Sequence, residues 1–194
     1  MIEKCGCIVL VGMPGSGKTT VGRELAKRLG RRFVDSDHEI EARTGVKIPT
    51  IFEIEGEDGF RRRESQTLDA LTLEPDLVLA TGGGAVIRPE NRALLSERGV
   101  VIYLNVPPHI LWERTRHDRS RPLLQVPDPK GRIQELYIAR DPFYRDVAHI
   151  IVEGGRVDDL ESLEVLPTEH ALGRVVGQRF ELCDGPGQRQ SGPE

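Results

Sequence analysis

The chain carries little aromatic side-chain mass: five Phe, three Tyr and one Trp among 194 residues. Its core must therefore be built from aliphatic residues, and an apolar fraction of 38% is enough for one. Cysteine is scarce as well. Cys5, Cys7 and Cys183 form neither a zinc-ligand spacing nor a disulfide framework, so they read as reduced thiols of a cytoplasmic protein. Long hydrophobic runs are missing: Ile8–Val11 is too short for a signal peptide or a membrane span, and no membrane contact is expected. Strong net charge is missing too. A formal charge of −4 gives no footprint for a nucleic-acid partner. Basic residues are instead dense at Arg61–Arg63 and Arg114–Arg121, which suits discrete phosphate or carboxylate contacts. No internal repeat is visible.

What is present starts at Val9. The stretch VLVGMPGSGKTTVGREL contains Gly12, four intervening residues, then Gly17, Lys18 and Thr19, with an apolar run before and a helical pattern after. This is the spacing G-x-x-x-x-G-K-[ST] in its strand-to-helix context. Its glycines let the backbone close into a nest of inward-pointing N–H groups, and the helix N-terminus behind it adds positive potential. Lys18 can reach the outer phosphates of a nucleotide, and the Thr19 hydroxyl can ligate Mg²⁺.

Strand and helix patterns then alternate. Cys7–Val11, Phe33–Val34, Leu77–Ala80, Val100–Leu104 and Ala148–Val152 read as strands. The first helix runs from Lys18 to Leu29, with Val21, Leu25 and Leu29 on one stripe and Gly30 as its stop. Ser36 and Glu39 have capping-box spacing for a second helix ending near Thr44-Gly45. A short helix around Pro49 is interrupted at Gly56–Gly59, and another runs from Phe60 to Leu71. Helices are also expected over Arg92–Arg98, from Pro107-Pro108 through Trp112, around Ile133–Arg140, and weakly over Asp158–Val165. Arg116–Pro129 reads as a mobile loop. The expected class is α/β: three layers, a five-stranded parallel sheet flanked by helices on both faces, with a lid over about 114–129. Residues 1–166 form the domain. Residues 167–194 form a tail, its last part polar and expected to be disordered, while His170–Leu182 has enough apolar residues to dock as a helix.

Ligands of an open parallel sheet collect at the carboxyl ends of its strands, and polar clusters fall there. Asp35-Ser36-Asp37 could hold a metal and orient an attacking hydroxyl, or simply cap a helix. Arg61 and Glu64 share a helix face, so the glutamate can fix the guanidinium as a fork for a carboxylate; Arg62 and Arg63 suit a solvated face. Thr81-Gly82-Gly83-Gly84 allows a ligand close to the backbone. Arg114–Leu124 could neutralise charge at a transferring phosphoryl group or be an ordinary surface loop. Arg140, near an expected helix end, could reach the mouth of the sheet or complement the helix dipole.

In order and spacing, GMPGSGKTT, DSD, GEDGFRRRE, TGGGAV, RPLL and ARDPFY resemble the shikimate kinases over about Ile8 to Arg156, which implies a three-layer P-loop kinase fold. The resemblance implies ATP contacts from Gly12, Pro14, Gly15, Ser16, Gly17, Lys18, Thr19 and Thr20, with Arg114 beside adenine, Arg121 on the phosphoryl group and Arg156 on the nucleotide side. It implies Mg²⁺ at Thr19 and Asp35, and catalytic roles for Lys18, Asp37 and Arg121. Shikimate would meet Asp37, Arg61, Arg140 and the backbone of Gly82, Gly83 and Gly84, with Glu64 orienting Arg61. Phe52, Phe60, Pro122 and Leu123 would pack on its ring. The implied activity is ATP-dependent phosphorylation of the 3-hydroxyl of shikimate, in aromatic amino-acid biosynthesis, by a monomer whose partners are shikimate and ATP. One departure is plain: the family's proline two residues after the arginine following the last strand is Asp158 here. The rival readings are a kinase of another small metabolite such as gluconate, and a non-catalytic ATP-binding module.

Overall fold

The computed structural model describes residues 6–117, 124, 126–154 and 166–167. Its centre is the strand that feeds the glycine-rich loop. β1 (Cys7–Val11) lies between β3 (Leu77–Ala80) and β4 (Gly99–Asn105), with β2 (Arg32–Asp35) outside β3 and β5 (Ile150–Glu153) outside β4. These five strands are parallel. A two-residue strand, β6 (Leu166–Pro167), adds antiparallel to β5 beyond the expected five.

Alternation along β1 builds two apolar layers, because successive side chains of a strand face opposite sides. Cys7, Val9 and Val11 pack in one layer with Leu68, Leu71, Leu95, Leu111, Ile133 and Tyr144. Leu10 packs in the other with Val21, Ala26, Val78, Ile102 and Leu104. The helices of the first layer are α3 (Ile48–Leu71), α4 (Pro89–Arg98), α5 (Pro108–Thr115) and α6 (Pro129–Val147); α1 (Lys18–Leu29) covers the second. A third, smaller cluster of Ile40, Ile51 and Phe60, with Phe52 against it, joins α2 (Ser36–Thr44) to α3. Among the described residues no helix is long and apolar enough to cross a membrane.

Several boundaries differ from the expectation, each for a physical reason. The cap of α2 is Asp35, not Ser36: the Asp35 carboxylate accepts from the backbone N–H of Asp37 and His38. Ser36 opens the helix instead, and Glu39 pairs with Arg43 one turn on. The break in α3 is a single residue. Only Gly56 leaves helical geometry (φ 68°, ψ −175°), so the second limb resumes at Glu57 rather than at Phe60. α4 starts at Pro89, where proline's missing N–H costs nothing in a first turn. α6 starts at Pro129, which puts that residue in a helix and not in the loop, and it runs through Pro142. The carbonyl that Pro142 deprives of a partner belongs to Ile138, an exposed position, and the buried face of Ile133, Leu136, Arg140, Tyr144 and Val147 continues past it. Arg140 is therefore in mid-helix, not near a helix end. β5 starts at Ile150, two residues later than expected.

The expected helix over Asp158–Val165, residues 118–123 and 125 of the lid, and the tail after Pro167 lie outside the described residues.

Candidate active site

The loop from Gly12 to Gly17 leaves β1 and enters α1 without a side-chain cap. Gly17, in left-handed geometry at φ 96°, is the residue before the helix, so the first N–H groups of α1 face the loop's concavity. The loop is tightly seated: a Cβ on Gly12 would come 2.8 Å from the Leu104 carbonyl oxygen, and one on Gly15 2.5 Å from the Thr115 methyl. Lys18 is buried, its Nζ donating to the carbonyls of Gly12 (2.8 Å) and Met13 (2.9 Å). Ser16 is buried beneath it and Thr20 is exposed. Arg114, exposed on α5, donates weakly to the carbonyls of Gly15, Ser16 and Gly154, each at 3.4 Å, and so touches both the loop and the turn after β5.

Asp35 has divided duties. Its Oδ1 caps α2, while its Oδ2 accepts from the Thr19 hydroxyl at 2.8 Å. A hydroxyl and a carboxylate at that spacing, at the mouth of a phosphate loop, are a donor set that suits Mg²⁺, which takes few protein ligands and keeps its waters. No group of three or more His, Cys, Asp or Glu side chains with metal-binding spacing occurs among the described residues.

The turn after β3 is the meeting point of everything else. A Cβ on Gly82 would fall 2.7 Å from Asp37 Oδ1 and 3.0 Å from Glu64 Oε1. One on Gly83 would fall 2.7 Å from Pro14 Cδ, on the phosphate loop. One on Gly84 would fall 2.3 Å from Arg61 Nη1. Each of the three consecutive glycines is thus crowded by a different neighbour. The Gly83 carbonyl accepts from Arg140 Nη1 at 3.2 Å and from the Tyr144 hydroxyl. Ser36 Oγ accepts from the Gly82 N–H at 3.0 Å, and Asn91 and Arg92 of α4 donate to the carbonyls of Ala85, Val86 and Ile87.

Asp37, Arg61, Glu64 and Arg140 therefore surround one turn that also touches the phosphate loop. Arg61, Glu64 and Arg140 are all buried, at 5%, 0% and 5% exposure. Glu64 Oε2 accepts from Arg61 Nη1 at 2.8 Å, and its Oε1 has no hydrogen-bond partner among the described residues. Burial pushes the Glu64 carboxyl above the usual carboxylate range, opposed by the charges of Arg61, Arg140 and Arg88. Burial works against the Arg61 cation, but Glu64 and Glu57 outweigh it and raise its pKa. Arg63 pairs with Glu55 on the exposed side and Arg62 is exposed, as a solvated face requires.

Phe60 lies beneath Arg61, its ring centroid 5.2 Å from the guanidinium carbon, and 4.8 Å from the ring of Phe52. Arg121, Pro122, Leu123 and Arg156 lie outside the described residues.

Some contributors were not singled out from the sequence. Tyr144 and Tyr103 stack at 5.0 Å, and the Tyr103 hydroxyl lies 2.8 Å from Asp141 Oδ1. Burial, reinforced by Asp141, pushes that hydroxyl's pKa up. The pair locks α6 to β4 and so fixes Arg140. Stacked aromatics spaced far apart in the chain leave no local signal; only the quoted ARDPFY stretch brushed against Tyr144.

Residues 14–166 match the model of the shikimate kinase family. The chain belongs to the shikimate kinase family. A shikimate kinase of Aromatoleum aromaticum is 72% identical over 149 residues, covering 77% of this chain and 85% of that one. A shikimate kinase of Dechloromonas aromatica is 65% identical over 150 residues, covering 77% and 82%. Among solved structures, the shikimate kinase from Acinetobacter baumannii in complex with shikimate is 46% identical with a TM-score of 0.80, covering 92% of this chain and 97% of that one. A gluconokinase from Sinorhizobium meliloti 1021 is 18% identical with a TM-score of 0.52, covering 88% and 91%, and shares the fold alone.

Proposed function

We infer that the chain transfers the terminal phosphoryl group of ATP to the 3-hydroxyl of shikimate, giving shikimate 3-phosphate and ADP for aromatic amino-acid biosynthesis. Membership of the shikimate kinase family supports this, as does the inventory of the site. The observation that carries it is the glycine turn, on which Asp37, Arg61, Arg140 and the phosphate-loop residue Pro14 converge. Shikimate is a small ring bearing one carboxylate and three hydroxyls. Two buried arginines, one aspartate and backbone N–H groups answer that inventory, and a site built for such groups rejects acceptors that lack them.

In this reading the loop from Gly12 to Thr20 cradles the phosphates and Lys18 bridges the outer two. Thr19 and Asp35 would hold Mg²⁺, which supplies charge neutralisation on the phosphates. Arg61 and Arg140 grip the acceptor carboxylate, Glu64 holding Arg61 in register. Asp37 accepts the hydrogen bond of the attacking hydroxyl and takes its proton as the oxygen–phosphorus bond forms. The bond from the terminal phosphorus to the bridging oxygen breaks in line, and ADP leaves. Positioning and charge stabilisation supply the acceleration. Arg114 and Arg156 serve the adenine side, Arg121 the phosphoryl group, and Pro122 and Leu123 the ring. We take the chain to act as a monomer in the cytoplasm, and the buried free thiol of Cys7 fits a reducing compartment.

The test is ADP formation from Mg·ATP with shikimate, quinate, gluconate and nucleoside monophosphates as acceptors. Turnover with shikimate far above the others is expected. Turnover with gluconate or a monophosphate instead, or binding of ATP and shikimate without any turnover, would overturn the reading.

A further inference from the structure

Two glutamates of unequal freedom hold the Arg61 guanidinium. Glu64 Oε2 lies 2.8 Å from Nη1, and the Glu64 side chain is fully buried. Glu57 Oε1 lies 3.3 Å from Nε and 3.0 Å from Nη2, and its side chain is 56% exposed. Nε and Nη2 form the side edge of the guanidinium, which grips a planar carboxylate best through two parallel N–H bonds to two oxygens. Glu57 offers that edge a single oxygen, so its grip is the poorer, shared kind.

The two glutamates also differ in what release would cost. Freeing Glu64 would leave a buried carboxylate without its cation, a change of the most destabilising sort. Glu57 needs only to swing into water. It stands first in the second limb of α3, straight after the non-helical Gly56. Gly56 has open space around it: a Cβ there would meet nothing within 4 Å.

We propose that Glu57 is a built-in competitor for the acceptor's carboxylate, covering the side edge of Arg61 and displaced from it when a carboxylate-bearing acceptor binds. This rests on the reading that Arg61 receives that carboxylate. An acceptor carboxylate with both oxygens on the edge replaces a one-oxygen contact by a two-oxygen one. An acceptor without a carboxylate has nothing to exchange and leaves the pair closed. Glu57 is then a specificity residue that never touches the reacting atoms.

Calorimetric titration of the full chain with shikimate, and with its methyl ester, tests this on the wild type, Glu57→Gln and Asp58→Asn. Asp58 is exposed and adjacent, so its variant removes the same charge and controls for simple loss of repulsion. Glu57→Gln is expected to lower the Kd for shikimate by about two- to fivefold, the range of a half-exposed ion pair, and to leave the ester's Kd unchanged. A shikimate Kd that stays the same or rises, an equal gain for the ester, or an equal gain in Asp58→Asn would each overturn the proposal. A wild type that does not bind shikimate at all would overturn the reading of Arg61 itself, and that failure is distinct from bound shikimate with no gain in the variant.

Discussion

A Cβ on Gly84 would stand 2.3 Å from Nη1 of Arg61 and 2.4 Å from Nη2. The glycine and the guanidinium share one small volume, and Glu64 and Phe60 leave the arginine little room to retreat. Gly84→Ala must therefore push the guanidinium off its present seat. Overpacking of this kind costs about 1–3 kcal/mol, which, on the proposal that Arg61 grips the acceptor, reads as about a 5- to 160-fold rise in the KM for shikimate. The KM for ATP is expected to change far less. Steady-state kinetics in both substrates checks it, with circular dichroism confirming that the variant is folded. Equal changes in both KM values would contradict the pairing of Gly84 with Arg61.

Glu64→Ala removes the fully buried partner of a buried cation. Breaking such a pair from one side is expected to destabilise the fold by about 3–5 kcal/mol, because the remaining charge stays desolvated. Denaturant unfolding measures this directly. A loss below about 1 kcal/mol would mean that Arg61 is solvated in the variant and that the clamp is not rigid.

Cys7 is 1% exposed, and burial pushes its thiol up from 9.0 to about 12, with Arg31 opposing. The folded pKa lies above the unfolded one. The stability linked to Cys7 is therefore fully present below pH 9 and is lost as pH rises from 9 towards 12. In a chain carrying Cys5→Ser and Cys183→Ser, the remaining thiol should stay inert to a disulfide reagent at pH 8 until the protein is unfolded. Prompt labelling of the native protein would contradict its burial.

How far the sequence could be read depended on whether the cause was local. The phosphate loop is a spacing of residue types beside one strand and one helix, and the structure keeps it between β1 and α1. Arg61 and Glu64 were legible because helix periodicity alone puts them on one face. The cap of α2 was not: Asp35, Ser36 and Glu39 satisfy two capping patterns at once, and the choice falls to Asp35 because Ser36 is drawn to the Gly82 N–H in the turn after β3. The length of α6 escapes local reading for a like reason. Pro142 reads as a terminator locally, yet the buried stripe from Ile133 to Val147 carries the helix through it. Tyr144 on the Gly83 carbonyl joins residues far apart in the chain, and no local pattern announces it.

In the proposed function Asp37 serves the acceptor hydroxyl beside a separate phosphate site. The most direct measurement is the turnover of Asp37→Asn with shikimate, taken together with its affinity for ATP. The variant keeps the side chain's shape and the crowding against Gly82. A kcat reduced by about 100-fold or more, with ATP binding unchanged, is the predicted result for a lost general base. Near wild-type turnover would contradict the claim.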